Sequence, residues 1–144
     1  MKKFKFGLNS VLRLRKMEEE HARMFLNESQ AEVDRATAEL DARLLAIGTS
    51  RPDPGRYRGP DFQDQRDQLE RHAVAVTAAR SAEANALASL RIARGEWEEA
   101  AQKVRALERL NEKHHETWVL EATKHAQIAT DEIAQTHFRR SIDR

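Results

Sequence analysis

The stretch GTSRPDPGRYRGP (residues 48–60) contains all three prolines and three of the five glycines of this 144-residue chain. Proline removes a backbone donor and clashes inside a helix, and glycine weakens a helix, so the stretch predicts a turn or a loose loop. No proline occurs before or after it. It therefore predicts two long helices, over about 8–47 and about 61–140, with Ser10 as the first N-cap and Gly48 closing the first helix.

Both helical segments repeat large apolar residues every seven positions. In the first segment one heptad position is filled by Leu12, Glu19, Leu26, Val33, Leu40 and Ile47. In the second segment it is filled by Phe62, Leu69, Val76, Glu83, Leu90, Trp97 and Val104, and alanine is frequent at the complementary position. Two such stripes joined by a loop are best buried against each other along a shared strip of contact, which we term the seam. We therefore predict an all-α fold, with residues 1–144 forming a single domain, an antiparallel coiled-coil hairpin.

The two predicted helices differ in length, so part of the second must extend past the first. About 40 and 80 residues correspond to roughly 60 Å and 120 Å at 1.5 Å per residue. Past Leu107 the heptad pattern fails at Asn111, and a second spacing of threes and fours indicates a phase change near Trp118. This second stripe consists of Val119, Ala122, Ala126, Ala129 and Ile133. Three environments are open for it: the N-terminal residues, another protein, or solvent.

Composition and motifs argue against several classes of function. The 25 basic and 24 acidic residues nearly balance, which weakens a nucleic-acid interpretation. The chain has neither a phosphate-binding Gly-rich loop nor a helical His-x-x-x-His pair, so we expect no catalytic residue, cofactor, metal or small-molecule substrate. It lacks cysteine and a long apolar stretch after its basic start, and we expect a cytoplasmic protein without a signal peptide or membrane span.

The aromatic residues leave alternatives open. Trp97 falls on the seam and is expected in the core, whereas Trp118 is either packed or an exposed anchor for a partner. The basic and aromatic start, residues 2–6, is consistent with contact to anionic lipid or with a frayed terminus. Tyr57 and Phe62, beside the loop, either seal the hairpin end or form a small apolar docking tip.

Patterns at the two ends of the chain resemble a known family. The N-terminal pattern is Phe6-x-Leu8-x-x-Val11-Leu12-x-Leu14-Arg15, followed by Glu18 to Glu20 and Ala22. The C-terminal pattern is Leu107-Glu108-Arg109-Leu110-x-Glu112-Lys113, then Trp118, then Asp131-Glu132-Ile133-Ala134. In order and placement these motifs resemble the FliJ family of flagellar type III export proteins. His114 and His115 depart from the basic residues expected at those positions.

The resemblance implies a non-enzymatic coiled coil similar to the central stalk of rotary ATP synthases, inserted in the pore of the hexameric export ATPase. It also implies contacts with the export-gate membrane protein and with export substrate chaperones, coupling ATP hydrolysis to protein export. The expected location is cytoplasmic, peripheral to the inner face of the cell membrane at the flagellar base.

The predicted topology places both termini at one end of the hairpin and the loop at the other. We assign to the ATPase ring a terminal-end set: Leu8, Val11, Leu12, Arg15, Leu107, Leu110 and Trp118. We assign to the export gate a loop-end set: Leu40, Leu44, Tyr57, Phe62, Leu69 and His72. Two alternatives stay open, a homodimerising coiled-coil scaffold and the equivalent stalk protein of a type III injectisome.

Overall fold

The structure, a computed structural model, describes residues 3–50 and 59–142. It contains two α-helices: α1, Asn9–Thr49, with 41 residues, and α2, Gly59–Ile142, with 84 residues. The described residues include no β-strand. The two helices pack against each other, and α2 is the longer, so the prediction of an all-α coiled-coil hairpin is confirmed.

The ends of α1 differ in detail from the predicted ones. The helix begins at Asn9, and the Leu8 carbonyl already accepts a hydrogen bond from the Leu12 amide, so Leu8 rather than Ser10 is the N-cap. Gly48 lies inside α1, and its φ is not left-handed, so the predicted glycine cap is wrong. Instead, the hydroxyl of Ser50 donates to the Ala46 carbonyl over 2.7 Å and satisfies one of the last free carbonyls.

The chain divides into two compact units, each built from a piece of both helices. Residues 1–19 and 100–144 form one, which we term the terminal unit, and residues 20–99 form the other, which we term the loop unit.

In the loop unit, two contacts across the helices define the antiparallel register. The Thr37 hydroxyl donates to Glu83 Oε1 over 3.0 Å, and Ser50 Oγ lies 3.4 Å from His72 Nε2. The later residue of α1, Ser50, contacts the earlier residue of α2, His72. The two helices are therefore antiparallel. Val33, Val76, Ala79 and Ala93 are buried along this seam, as the heptad pattern predicts. Phe62, the first residue of the predicted α2 stripe, is exposed instead.

The terminal unit has the same antiparallel register. Lys16 Nζ lies 2.7 Å from Glu108 Oε1, and the ring of Phe6 lies against the ring of His114. The earlier residue, Phe6, thus contacts the later position on α2. Leu12, Ala101 and Val104 form the buried apolar residues of this unit. The Lys16 pair is half-exposed, so it marks the register and contributes little stability.

Candidate functional site

All seven residues of the terminal-end set lie in the terminal unit. Four of them are on or just before α1 and three are on α2, and the antiparallel register of this unit brings the two groups together. Leu8 and Val11 are 39% and 38% exposed, and Leu107, Leu110 and Trp118 are half-buried. The unit therefore presents apolar side chains that a partner can reach.

Leu12 differs from the rest of the terminal-end set because its side chain is only 8% exposed. It fills the seam of the terminal unit together with Val104 and Ala101. A partner bound at the surface therefore reaches Leu12 only through its neighbours, and a polar substitution there would act first on folding.

Arg15 is occupied within its own helix. Its Nη1 donates to Glu18 Oε2 over 2.7 Å, one helical turn later. Both side chains are more than a third exposed, so the pair orients Arg15 along α1 without adding much stability.

An aromatic cluster extends the terminal unit beyond the start of α1. The Phe4 ring meets His115 edge to face at a centroid distance of 5.0 Å and lies 5.9 Å from Trp118. The Phe6 ring meets His114 edge to face at 5.8 Å. Edge-to-face contacts match the positive edge of one ring with the negative face of another. Trp118 is thus half-buried against the N-terminal segment, and residues 3–8 continue the packing where α1 has not yet begun.

Of the aromatic cluster the predicted site contains only Trp118, and it omits the other four rings as well as Leu14. Phe4 and Phe6 alternate along the chain, which is the spacing at which an extended segment places two side chains on one side. The consecutive His114 and His115 then supply one ring for each phenylalanine. Leu14 belongs to the N-terminal motif but falls outside the heptad stripe, and its side chain is exposed.

The described members of the loop-end set all lie in the loop unit. Tyr57 lies outside the described residues. Leu44 is 41% exposed and Phe62 is more exposed still, whereas Leu40, Leu69 and His72 are half-buried. Phe62 consequently does not seal the hairpin seam, and its ring is available to a partner.

His72 has a defined hydrogen-bonding role in the loop unit. The Ser50 hydroxyl donates to the Ala46 carbonyl, and its oxygen lies 3.4 Å from His72 Nε2, within hydrogen-bond distance. His72 thereby ties α2 to the last turn of α1.

Two exposed apolar residues next to the loop-end set were not predicted. Leu45 follows Leu44 and lines an open groove on α1 together with Gly48. Val74 lines open grooves on α2. Neither residue falls on a heptad stripe, so the heptad pattern does not indicate them.

The described residues were searched for groups of metal-binding side chains and for membrane-spanning helices. They contain no group of three or more histidine, aspartate or glutamate side chains arranged to hold a metal ion. Their helices also lack a segment both long and apolar enough to cross a bilayer.

The chain was compared with protein-family models, curated proteins and solved structures. The family model described as "Flagellar FliJ protein" matches residues 4–142, nearly the whole chain. The chain belongs to the FliJ family. This is a family of non-enzymatic components of flagellar protein export, so the chain is a flagellar export protein. No match was found among curated proteins or among solved structures.

Proposed function

We propose that this FliJ family member couples the hexameric export ATPase to the export-gate membrane protein and escorts substrate chaperones, without contributing a catalytic group. The observation that supports this proposal most directly is that each of the two compact units carries accessible apolar residues. The terminal-end set lies in one compact unit and the described loop-end set in the other. A chain with two such surfaces is suited to binding two partners at once.

The terminal unit is the surface proposed for the ATPase ring. Leu8 and Val11 are accessible there, and the half-buried ring of Trp118 lies within the same unit. Aromatic and apolar residues that are partly covered are typical anchors of protein interfaces. A two-helix segment that binds the assembled ring better than free subunits shifts the assembly equilibrium towards the ring. The proposed stimulation of ATP hydrolysis follows from this linkage alone.

The loop unit is the surface proposed for the export gate. Its accessible residues include Leu44 and Phe62, and the groove on α1 adds Leu45. Contact with the gate protein would hold the chain at the inner face of the membrane without insertion into the bilayer. We propose a peripheral location on this basis. We propose that the chain also binds substrate chaperones while it contacts the ATPase and the gate protein, and we assign no residues to that contact.

The test is ATPase turnover measured against increasing concentrations of added protein. Wild-type protein should raise turnover to a plateau. Val11→Asp should raise the concentration needed for half-maximal stimulation at least about tenfold, since it places a charge in an apolar contact. The matched control is Leu44→Asp, because Leu44 is exposed to the same degree but lies in the loop unit. Leu44→Asp should stimulate like wild type.

Circular dichroism of both variants establishes that helicity is retained. Unchanged turnover at saturating wild-type protein would contradict the coupling role and would favour a homodimerising scaffold. Equal loss in both variants would contradict the assignment of the ring to the terminal unit.

A further inference from the structure

Residues 3–7 precede α1 and pack against α2 with one side of an extended segment. We term them the strap. Exposed and half-buried side chains alternate along it: Lys3 and Lys5 are exposed, and Phe4 and Phe6 are half-buried. Successive side chains of an extended segment lie on opposite sides. The strap therefore has an apolar side against α2 and a basic side in solvent.

The apolar side of the strap is held by ring packing. The Phe4 ring lies 5.0 Å from the His115 ring, edge to face, and 5.9 Å from the Trp118 ring, as distances between ring centroids. The His115 and Trp118 rings are themselves 6.0 Å apart, so the three rings form one group. Each such contact is favourable but small.

Hydrogen bonds and ion pairs add little to this packing. Among the described residues, the backbone of the strap makes one hydrogen bond, in which the Asn9 amide donates to the Phe6 carbonyl over 3.2 Å. Lys3 and Lys5 form no ion pair with any described residue. A segment that is not tied into a helix or a sheet opens at a free energy well below that of global unfolding. The strap can therefore open while the two helices stay packed.

The side chain that the strap covers belongs to the surface proposed for the export ATPase. Trp118 is the one aromatic member of the terminal-end set. Tryptophan is enriched among the side chains that anchor protein interfaces. A partner that packs on the side of the Trp118 indole where Phe4 lies must first displace Phe4. The strap and such a partner therefore compete for the same indole.

From this competition and from the few bonds of the strap, we propose that the strap is a displaceable cover of Trp118. In the free chain it shields the indole, and the export ATPase displaces it on binding. This inference rests on the proposed function. The apparent affinity for the ATPase is reduced by the fraction of chains in which the strap is open, so a strap open in about one chain in ten weakens binding about tenfold.

A fluorophore at residue 3 reports whether the strap is closed. The chain lacks cysteine and Lys3 is exposed beside Phe4, so Lys3→Cys gives the full chain a single site for a bimane label. Tryptophan quenches bimane emission at short range. The labelled chain should show a loss of emission relative to the same chain with Trp118→Phe, which keeps an aromatic ring next to Phe4. Trp97→Phe is the matched control, because Trp97 is the other tryptophan and lies in the loop unit, and it should not restore emission.

Addition of the export ATPase to the labelled chain tests displacement. Emission should rise to the level of the labelled Trp118→Phe chain at saturating ATPase. Equal emission of these two chains before the addition would overturn the closed strap. Emission that stays quenched at saturating ATPase would overturn its displacement.

Removal of the Phe4 side chain tests the effect on affinity. Phe4→Ala should lower the concentration of chain needed for half-maximal stimulation of the ATPase at least about threefold, because fewer chains are closed. Phe25→Ala is the matched control: Phe25 is 44% exposed, lies in the loop unit and belongs to neither set. It should stimulate like wild type. Circular dichroism establishes that both variants keep their helicity.

The outcomes separate this proposal from the proposed function. A half-maximal concentration for Phe4→Ala equal to or above that of wild type would overturn the strap and leave the proposed function intact. Absence of stimulation by the wild-type chain would contradict the proposed function, and displacement of the strap by the ATPase with it.

Discussion

Glu83 interrupts the apolar stripe of α2, and one hydroxyl on α1 accommodates it. Its Oε1 accepts from Thr37 over 3.0 Å in a partly buried setting. Removing the donor to a partly buried carboxylate costs the fold more stability than the mean value of a hydrogen bond, because the carboxylate oxygen is then left unsatisfied.

Thr37→Val should therefore lower the free energy of unfolding by more than about 1 kcal/mol. The substitution keeps the shape of the side chain and removes only the donor to Glu83. Thr77→Val is the matched control, because the Thr77 hydroxyl is exposed and donates to Ala73 of its own helix. Urea denaturation of both variants measures the difference. A larger loss in Thr77→Val than in Thr37→Val would contradict the role given to this contact.

Asn111 is a second polar residue at a position of the heptad stripe. Its Oδ1 is buried and accepts no hydrogen bond from any described residue. Such an atom has lost its hydration without compensation. Polar residues at these positions cost stability and can specify register.

Asn111→Leu should consequently raise the free energy of unfolding by about 1 kcal/mol, since it removes the unsatisfied oxygen and adds apolar contact. Asn85→Leu, at an exposed position of α2, should leave stability nearly unchanged. Thermal melting followed by circular dichroism compares them. A lower melting temperature for Asn111→Leu would show that Asn111 stabilises the terminal unit.

At the scale of the helices, α2 contains a glycine that its surroundings do not require. A Cβ added to Gly95 meets nothing within 4 Å, and its φ is not left-handed. Gly95→Ala should therefore stabilise α2 by about 1 kcal/mol, the difference in helix propensity. Gly7→Ala has equal space but lies outside the helices, so it lacks this gain. Urea titrations of the two variants test this, and equal midpoints would contradict it.

The helices and their seam can be predicted from the sequence because apolar residues that repeat every seven positions lie on one face of a helix, and that face is the one that is buried. Val33, Val76 and Ala93 are buried as that pattern predicts. The pattern is silent where the chain is extended, so it gave no indication that Phe4 packs on His115. The pattern also does not show where a stripe runs out of partner, and for this reason it predicts Phe62 in the seam although Phe62 is exposed.

For the candidate site, the sequence predicts at which end of the hairpin a residue lies but not how exposed its side chain is. Assigning residues to two ends requires only the order of helices and loop, and the assignment of each end to a partner stays a prediction. The terminal-end set lies in the terminal unit and the described loop-end residues lie in the loop unit. Exposure within each set depends on side-chain contacts that periodicity does not encode. Leu12 is buried and Leu14 exposed for this reason, although both belong to one motif.

At the scale of the whole molecule, we propose that the two units contact different proteins of the export apparatus. The family match supports a role in export, and the two sets of exposed apolar residues provide positions at which contact can be recorded. Val11 and Leu44 suit this purpose because their exposures are nearly equal, at 38% and 41%.

The most direct measurement places a photo-cross-linking amino acid at residue 11 or at residue 44 of the full chain. Each protein is mixed with the export ATPase and the cytosolic part of the gate protein, and the cross-linked partner is identified by mass spectrometry. We expect the ATPase at residue 11 and the gate protein at residue 44. Cross-links from both positions to the same protein, or with the two partners exchanged, would contradict the account.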